Sequence, residues 1–152
     1  MTLQIFSQVA ITCEDPIVTE KFYTKHFGFK RARVAKLPDG DRIVFIKMRD
    51  SAFYLELFKA KEASPVPLPT NDGPQYPSVR HLAFKVENVD AKLDEIGEDA
   101  KITLGPLDFD DYISGWRTVW IADPDGRIIE LSQGFVDEDN PPLLNSSEST
   151  NR

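Results

Sequence analysis

The stretch Gln8-Val9-Ala10-Ile11-Thr12-Cys13-Glu14-Asp15 returns in outline 73 residues later (81 minus 8), as His81-Leu82-Ala83-Phe84-Lys85-Val86-Glu87-Asn88. In both stretches apolar residues alternate with polar or small ones, which predicts a strand with one buried face. Asp15 and Asn88 close the two stretches, and either side chain can cap the helix that should follow. A strand-to-helix unit repeated at this distance predicts two similar modules.

Each half of the chain should continue from its helix into three further strands. The first helix is predicted from about Pro16 to His26, because proline is favoured at the first helical position and Gly28 can end the helix. The predicted strands cover residues 31–36, 42–48 and 52–58, then 101–104, 116–122 and 127–133. Both halves are therefore predicted as βαβββ units, and the chain as an α+β fold.

A proline-rich segment separates the two halves. Five prolines between residues 60 and 77 leave no room for a regular element there. We divide the chain into a first module (1–59), a linker (60–79), a second module (80–136) and a tail (137–152). The tail is acidic and then rich in serine and asparagine, so we expect it to be disordered.

Composition excludes several classes of protein. The chain holds 25 acidic and 18 basic residues, and no run of basic residues indicates a nucleic-acid surface. Its only cysteine, Cys13, cannot form an intrachain disulfide and is expected in the core. No apolar run approaches the roughly 20 residues of a membrane-spanning helix, and no charged and apolar leader is evident. We expect a cytoplasmic protein without nucleic-acid or membrane partners.

Four polar side chains occupy corresponding positions in the two halves. Gln8 and Glu56 are 48 residues apart (56 minus 8), and His81 and Glu130 are 49 apart (130 minus 81). Because side chains alternate across a strand, all four are predicted on the face opposite the helices. Each alone has an ordinary explanation: His81 as a hydrogen-bonded strand residue, and the two glutamates as solvent-facing groups.

Together the four side chains predict a site for one divalent metal ion. A carboxylate between apolar neighbours is costly to bury without a compensating partner. Two carboxylates, one imidazole and one amide oxygen suit zinc, nickel, cobalt, manganese or iron(II). Four protein ligands around a six-coordinate ion leave two positions for water or a small-molecule substrate.

Aromatic residues are candidates for the lining of a substrate pocket. They are Tyr54, Phe58, Trp116 and Trp120, although both tryptophans also fit ordinary packing between strands. Strand alternation places Arg117 on the face opposite the tryptophans, which argues against a substrate role for it.

The chain resembles the vicinal oxygen chelate superfamily of glyoxalase I, bleomycin-resistance proteins, epimerases and extradiol dioxygenases. The resemblance covers roughly residues 5 to 134. It is carried by these segments: Gln8–Cys13 with Asp15, Phe22-Tyr23, Phe27-Gly28-Phe29, His81-Leu82-Ala83-Phe84, Asp123-Pro124-Asp125-Gly126 and Ile129-Glu130-Leu131. It implies paired βαβββ modules that form a cup-shaped mixed sheet around a metal ion.

The ligand set Gln8, Glu56, His81 and Glu130 looks most like that of glyoxalase I. By that analogy Glu130 is the base that transfers a proton, and Glu56 is a ligand or second acid–base. Glyoxalase I proteins typically carry an Arg and an Asn that hold glutathione, where this chain has Thr12 and Ala60. Thr12 cannot supply the bidentate charged contact of arginine, so glutathione hemithioacetal is not the expected substrate.

Two other functions stay open at this point. An iron-dependent dioxygenase of the extradiol type usually has two histidines and one glutamate, whereas Gln8 stands where one histidine would be. A protein that binds a drug or metabolite without catalysis is the other alternative. The long linker predicts a homodimer, in which the metal ligands come either from one chain or from both.

Overall fold

The computed structural model describes residues 1–144, which form two βαβββ modules in sequence. The first module comprises β1 (Gln8–Cys13), α1 (Pro16–Phe27), β2 (Phe29–Lys36), β3 (Arg42–Met48) and β4 (Tyr54–Lys59). The second comprises β5 (Leu82–Lys85), α2 (Val89–Ile96), a 3-10 turn (Gly97–Asp99), β6 (Lys101–Asp108), β7 (Arg117–Ala122) and β8 (Ile128–Gln133). The α+β class and the doubled module are therefore confirmed.

Each module forms one four-stranded mixed sheet with the same topology. The strand order is β1-β4-β3-β2 in the first sheet and β5-β8-β7-β6 in the second. The first strand of each module runs parallel to the last, and the remaining pairs are antiparallel. This pairing sets Ala10 beside Glu56 and Ala83 beside Glu130, so the last strand lies next to the first in both sheets.

The helix caps form as the sequence predicts. The Asp15 side chain accepts a hydrogen bond from the backbone N–H of Ile17, and Asn88 accepts one from Ala91. Pro16 occupies the first turn of α1, and Gly28 ends the helix in the left-handed region at φ 68°.

Both modules contribute to one hydrophobic core. The helix-facing side of the first sheet supplies residues such as Ile46 and Leu57, and that of the second supplies residues such as Ile121 and Leu131. The Phe27 ring, at the end of α1, stacks on Phe84 of the second module at 4.3 Å between centroids. Because both helix-facing sides share this core, the opposite faces of the two sheets point away from it.

A buried polar cluster adds a second connection between the modules. Asp123, in the turn between β7 and β8, has a side chain with no exposed surface. It accepts hydrogen bonds from the Tyr23 hydroxyl of α1 at 3.0 Å and from the Arg127 guanidinium. The second guanidinium nitrogen of Arg127 reaches the carbonyl oxygen of Thr12 at 2.9 Å. The Asp123–Gly126 turn thus fastens the second module to α1 and β1.

Several strand boundaries differ from the prediction. The strand predicted at 101–104 continues to Asp108, because register shifts between Ile102 and Leu107 accommodate Gly105 and Pro106. The strand predicted at 52–58 begins at Tyr54, and His81 lies one residue before β5 instead of opening it. Trp116 likewise precedes β7.

The remaining segments carry no helix or strand. The linker is without regular structure, as predicted, and so are the described tail residues 137–144. Residues 145–152, where the rest of the predicted disordered tail falls, lie outside the described residues. The exact module boundaries stay predictions. Within residues 1–144, no helix is long and apolar enough to cross a membrane.

Candidate functional site

The four candidate ligands lie in two pairs, one on each sheet. In the first pair, the amide nitrogen of Gln8 donates a hydrogen bond to Oε2 of Glu56 at 2.6 Å. Gln8 is exposed and Glu56 half-buried, so this pair opens to solvent. The amide oxygen of Gln8 is the atom suited to a metal, and rotation of the amide group would turn that oxygen toward Glu56.

The second pair is more enclosed and has more partners. Nε2 of His81 lies 2.6 Å from Oε2 of Glu130, with side-chain exposures of 19% and 11%. The other carboxylate oxygen of Glu130 accepts a hydrogen bond from the Thr118 hydroxyl at 3.0 Å. Glu130 is therefore held at both oxygens, and His81 faces only one of them.

The linker holds the His81 ring from the other side. Nδ1 of His81 lies 2.7 Å from the carbonyl oxygen of Asp72, and the Asp72 carboxylate pairs with Arg80 at 2.7 Å. Nδ1–H is therefore the donor to Asp72, which assigns Nε2 to Glu130 or to a metal. Gly73 permits this arrangement, because a Cβ atom there would lie 2.1 Å from the carbonyl oxygen of Arg80.

Electrostatics favour the charged form of the second pair. The hydrogen bond to Glu130 raises the pKa of His81 above its ordinary value, against the opposing effect of partial burial. Burial disfavours the ionised form of Glu130, yet hydrogen bonds from His81 and Thr118 hold its pKa below the ordinary value. The directions of both pKa shifts thus favour the imidazolium–carboxylate form of the contact between Nε2 of His81 and Oε2 of Glu130.

The two pairs do not meet within one chain. Among residues 1–144, no three His, Cys, Asp or Glu side chains are close enough to hold one metal ion. This separation agrees with the shared core, which directs the two ligand-bearing faces away from itself. The four candidate side chains therefore form two separate pairs, one on each sheet.

Two of the predicted aromatic residues, Trp116 and Trp120, belong to the second module, and Tyr54 belongs to the first. Trp120 is buried at 6% exposure, its ring lies 6.3 Å from that of His81, and its indole N–H has no partner within residues 1–144. Trp116 donates to the Ser132 hydroxyl at 2.9 Å and packs against Phe109. On the first sheet, the Tyr54 ring packs edge-on against Phe45.

Phe58, Arg117 and Cys13 lie in three different environments. Phe58 is half-buried on β4, in register with Thr12. Arg117 pairs with Asp90 of α2 at 2.9 Å, which confirms that it faces the helix rather than the tryptophans. Cys13 is fully buried, and that burial raises its pKa to about 11.

Sequence reasoning missed two neighbours of the second pair. Thr118 could have been found, since it alternates onto the same face of β7 as Trp120 and stands in register with Ser132 of β8. Asp72 could not, because it acts through its backbone carbonyl in a linker without periodicity.

Comparison with known proteins identifies relatives of this chain. The chain matches the family model of the Glyoxalase/Bleomycin resistance protein/Dioxygenase superfamily over residues 5–131. It is 27% identical to the uncharacterized protein YwkD of Bacillus subtilis (strain 168) over 131 residues, covering 86% of this chain and 98% of that protein.

Solved structures with a similar fold are also found. A glyoxalase family protein from Enterococcus faecalis is 30% identical, with 87% of this chain and 99% of that one covered at a TM-score of 0.63. TnmS3, an antibiotic binding protein from Streptomyces sp. CB03234, is 19% identical, with 88% and 98% covered at a TM-score of 0.62. At that identity the second similarity concerns the fold alone.

Proposed function

Because the chain belongs to the Glyoxalase/Bleomycin resistance protein/Dioxygenase superfamily, we propose that it is a divalent-metal-dependent enzyme of the glyoxalase type. The reaction is an isomerisation, epimerisation or lyase reaction on a small oxygenated substrate. One observation carries the proposal: His81 Nδ1 is bound by the Asp72 carbonyl, and its Nε2 faces Glu130 at 2.6 Å. That arrangement is typical of a histidine prepared as a metal ligand.

The donor atoms fit a divalent cation of the zinc, nickel, cobalt, manganese or iron(II) group. Gln8, Glu56, His81 and Glu130 would hold the ion, through one amide oxygen, two carboxylates and one imidazole nitrogen. When bound, such an ion polarises adjacent oxygens of a substrate and stabilises the charge left by proton removal.

Glu130 is the residue we assign to proton transfer. Its Oε1 is held by the Thr118 hydroxyl, and this bond fixes the orientation of the carboxylate on β8. Removing a proton beside a carbonyl requires such a positioned carboxylate within reach of the substrate carbon. Glu56 serves as a ligand or as the acid–base on the opposite side of the substrate.

We further propose that the complete site forms across a homodimer. Each chain presents the Gln8/Glu56 pair and the His81/Glu130 pair on faces that point away from its own core. A two-fold symmetric dimer can set the first pair of one chain against the second pair of its partner, and it forms two equal sites.

The substrate is not expected to be a glutathione adduct. Thr12 is exposed one residue before the end of β1 and Ala60 follows β4, and neither can bind a carboxylate as arginine does. A small molecule with two adjacent oxygens fits the two coordination positions of the metal that the four protein ligands leave free.

Metal analysis of the purified protein, paired with one substitution, tests the proposal. We expect one divalent ion per chain by inductively coupled plasma mass spectrometry, and its loss in Glu130→Gln. Glu87→Gln, which alters an exposed glutamate between β5 and α2, is the matched control and should keep its metal. The proposal would be refuted if the unaltered protein contained no metal and bound none of added zinc, nickel, cobalt, manganese or iron(II).

A second candidate is a protein that binds a drug or metabolite without a metal. It is favoured by one observation, that the candidate ligands satisfy one another in pairs at 2.6 Å within each sheet. TnmS3, with the same fold, is described as an antibiotic binding protein. Tight ligand binding that is unaffected by a chelator would support this candidate over the enzyme.

A further inference from the structure

The hairpin of β2 and β3 is basic in a chain that is acidic overall. The two strands comprise 15 residues (8 plus 7), of which six are Lys or Arg and none is Asp or Glu. The whole chain carries 18 basic and 25 acidic residues. One third of the positive side chains (6 of 18) is therefore concentrated in this hairpin.

Strand register shows which of these residues share a face with Glu56. Glu56 of β4 stands beside Phe45 of β3, and Phe45 stands beside Arg33 of β2. The neighbouring row contains Tyr54, Lys47 and Lys30 in the same order. Three cations, Lys30, Arg33 and Lys47, thus lie on the ligand-bearing face of the first sheet.

A β-bulge is responsible for the position of Arg33. Arg31 stands in register with the buried Ile46 and pairs with Glu20 of α1 through two hydrogen bonds, so it faces the helix. Plain alternation would place Arg33 on that same side. The register shift between Arg31 and Arg33 inserts one extra residue and directs Arg33 to the opposite face.

The three cations have no carboxylate partner within residues 1–144. Arg31 and Lys61 are both engaged in ion pairs, whereas no such pair includes Lys30, Arg33 or Lys47. The ammonium group of Lys47 lies over the Tyr54 ring at 5.3 Å. Like charges collected on one face repel one another, and a bound anion relieves that repulsion.

The spacing suits a molecule that reaches from the metal to the hairpin. Adjacent strands are about 4.8 Å apart, so Glu56 and Arg33, two strands apart, are separated by roughly 10 Å between their Cα atoms. Both side chains extend from the same face, and a small substrate can span the gap between their ends.

We propose that the substrate carries an anionic group, a carboxylate or a phosphonate or phosphate, which Arg33 binds with Lys30 and Lys47. This assignment rests on the proposed metal-dependent function and adds the substrate class to it. Arg33 provides the planar, bidentate contact that these anions prefer, and the two lysines add positive charge. Arg33, Lys30 and Lys47 would then hold the anionic group, a role for which Thr12 is unsuited.

Isosteric hydroxamates provide a direct test with the nickel-loaded protein. A hydroxamate chelates a metal through two adjacent oxygens. Butanohydroxamate ends in a methyl group, succinic monohydroxamate replaces that methyl with a carboxylate, and 3-phosphonopropanohydroxamate replaces it with a phosphonate. Isothermal titration calorimetry at low salt measures all three, and the order of the two anionic probes distinguishes carboxylate from phosphonate recognition.

We expect at least one anionic probe to bind about tenfold or more tightly than butanohydroxamate, which is the gain from a charge-assisted contact. Arg33→Gln should remove most of this preference and leave butanohydroxamate binding unchanged. Lys36→Gln is the matched control, because Lys36 neighbours Ala35, which shares the face of Arg33, and therefore points to the other side of the sheet. It should keep the preference.

Several results would overturn the assignment. Equal binding of all three probes to the unaltered protein would contradict recognition of an anionic group, without contradicting the metal site. An unchanged preference for the anionic probes in Arg33→Gln would show that Arg33 does not bind that group. Dissociation of a dimer by Arg33→Gln, measured by sedimentation, would assign Arg33 to subunit contact instead. If the protein bound neither the three probes nor nickel nor any of the other four candidate ions, the metal-dependent function would be refuted, and this inference with it.

Discussion

Nε2 of His81 lies 2.6 Å from Oε2 of Glu130, while Nδ1 of the same ring faces the carbonyl oxygen of Asp72 at 2.7 Å. The imidazole is therefore held between β8 and the linker. This relationship makes the linker part of the proposed metal site rather than a passive connection, and it leads to the first prediction.

Gly73→Ala should weaken metal binding, although residue 73 is not one of the proposed ligands. The added Cβ would lie 2.1 Å from the Arg80 carbonyl oxygen, so the linker must move and take the Asp72 carbonyl away from His81. Loss of such an outer contact typically costs about 10–100-fold in metal affinity. Calorimetric titration with nickel or zinc measures the change.

Gly40→Ala is the matched control for this prediction. Gly40 also has a positive φ, of 88°, but nothing lies within 4 Å of a Cβ placed there. Both substitutions carry the cost of an unfavourable backbone conformation, on the order of 1 kcal/mol of stability. Equal metal affinities of the two variants would show that Asp72 does not position His81.

Asp123→Ala should strongly destabilise the fold. The substitution removes a fully buried carboxylate that bonds Tyr23 and Arg127, and it leaves the Arg127 charge without its partner. Breaking a buried pair from one side costs about 3–5 kcal/mol. Tyr23→Phe removes a single hydrogen bond and should cost about 1 kcal/mol.

Chemical denaturation measures both changes in the free energy of unfolding. Asp111→Ala, which alters an exposed aspartate in the loop before β7, is the control and should change stability little. If Asp123→Ala unfolded at the same denaturant concentration as the control, the Asp123–Arg127–Tyr23 cluster would not be what fastens the modules together.

Cys13 should be unreactive toward thiol reagents in the native protein at pH 8. Its side chain is fully buried, and burial raises the pKa of the thiol to about 11 from an ordinary value of 9.0. Labelling with a chromogenic disulfide should be slow in buffer and rapid in denaturant. Fast, complete labelling without denaturant would contradict this account.

The same thiol gives stability a pH dependence of definite sign. Between about pH 9 and 11 the unfolded chain releases the Cys13 proton while the folded chain retains it. The folded state then binds more protons, so the free energy of unfolding falls as pH rises through that window and is unaffected below it. Cys13→Ala should lack this part of the alkaline decline, which denaturation at several pH values would measure.

Local sequence signals were enough to predict much of the architecture. Asp15 with Pro16, and Asn88, mark the two helix starts because capping is a local matter. Alternation correctly placed Gln8 on the face of Glu56 and His81 on the face of Glu130, since the period of a strand is two residues.

The remaining features depend on the tertiary structure. The bulge before Arg33 reverses the face that alternation predicts, and no residue at that point marks it. The contact between His81 and Asp72 involves a backbone carbonyl in an irregular segment. Whether the two ligand pairs meet depends on how the modules pack, which hydrophobic periodicity within each module does not encode.

Complementation between two inactive variants tests the shared site most directly. One variant carries Gln8→Ala with Glu56→Gln, and the other carries His81→Ala with Glu130→Gln. We predict by native mass spectrometry that neither homodimer binds nickel, whereas the mixed dimer binds one ion at its single intact site. Mixed dimers without nickel, beside an unaltered protein that binds it, would contradict a site built from both chains.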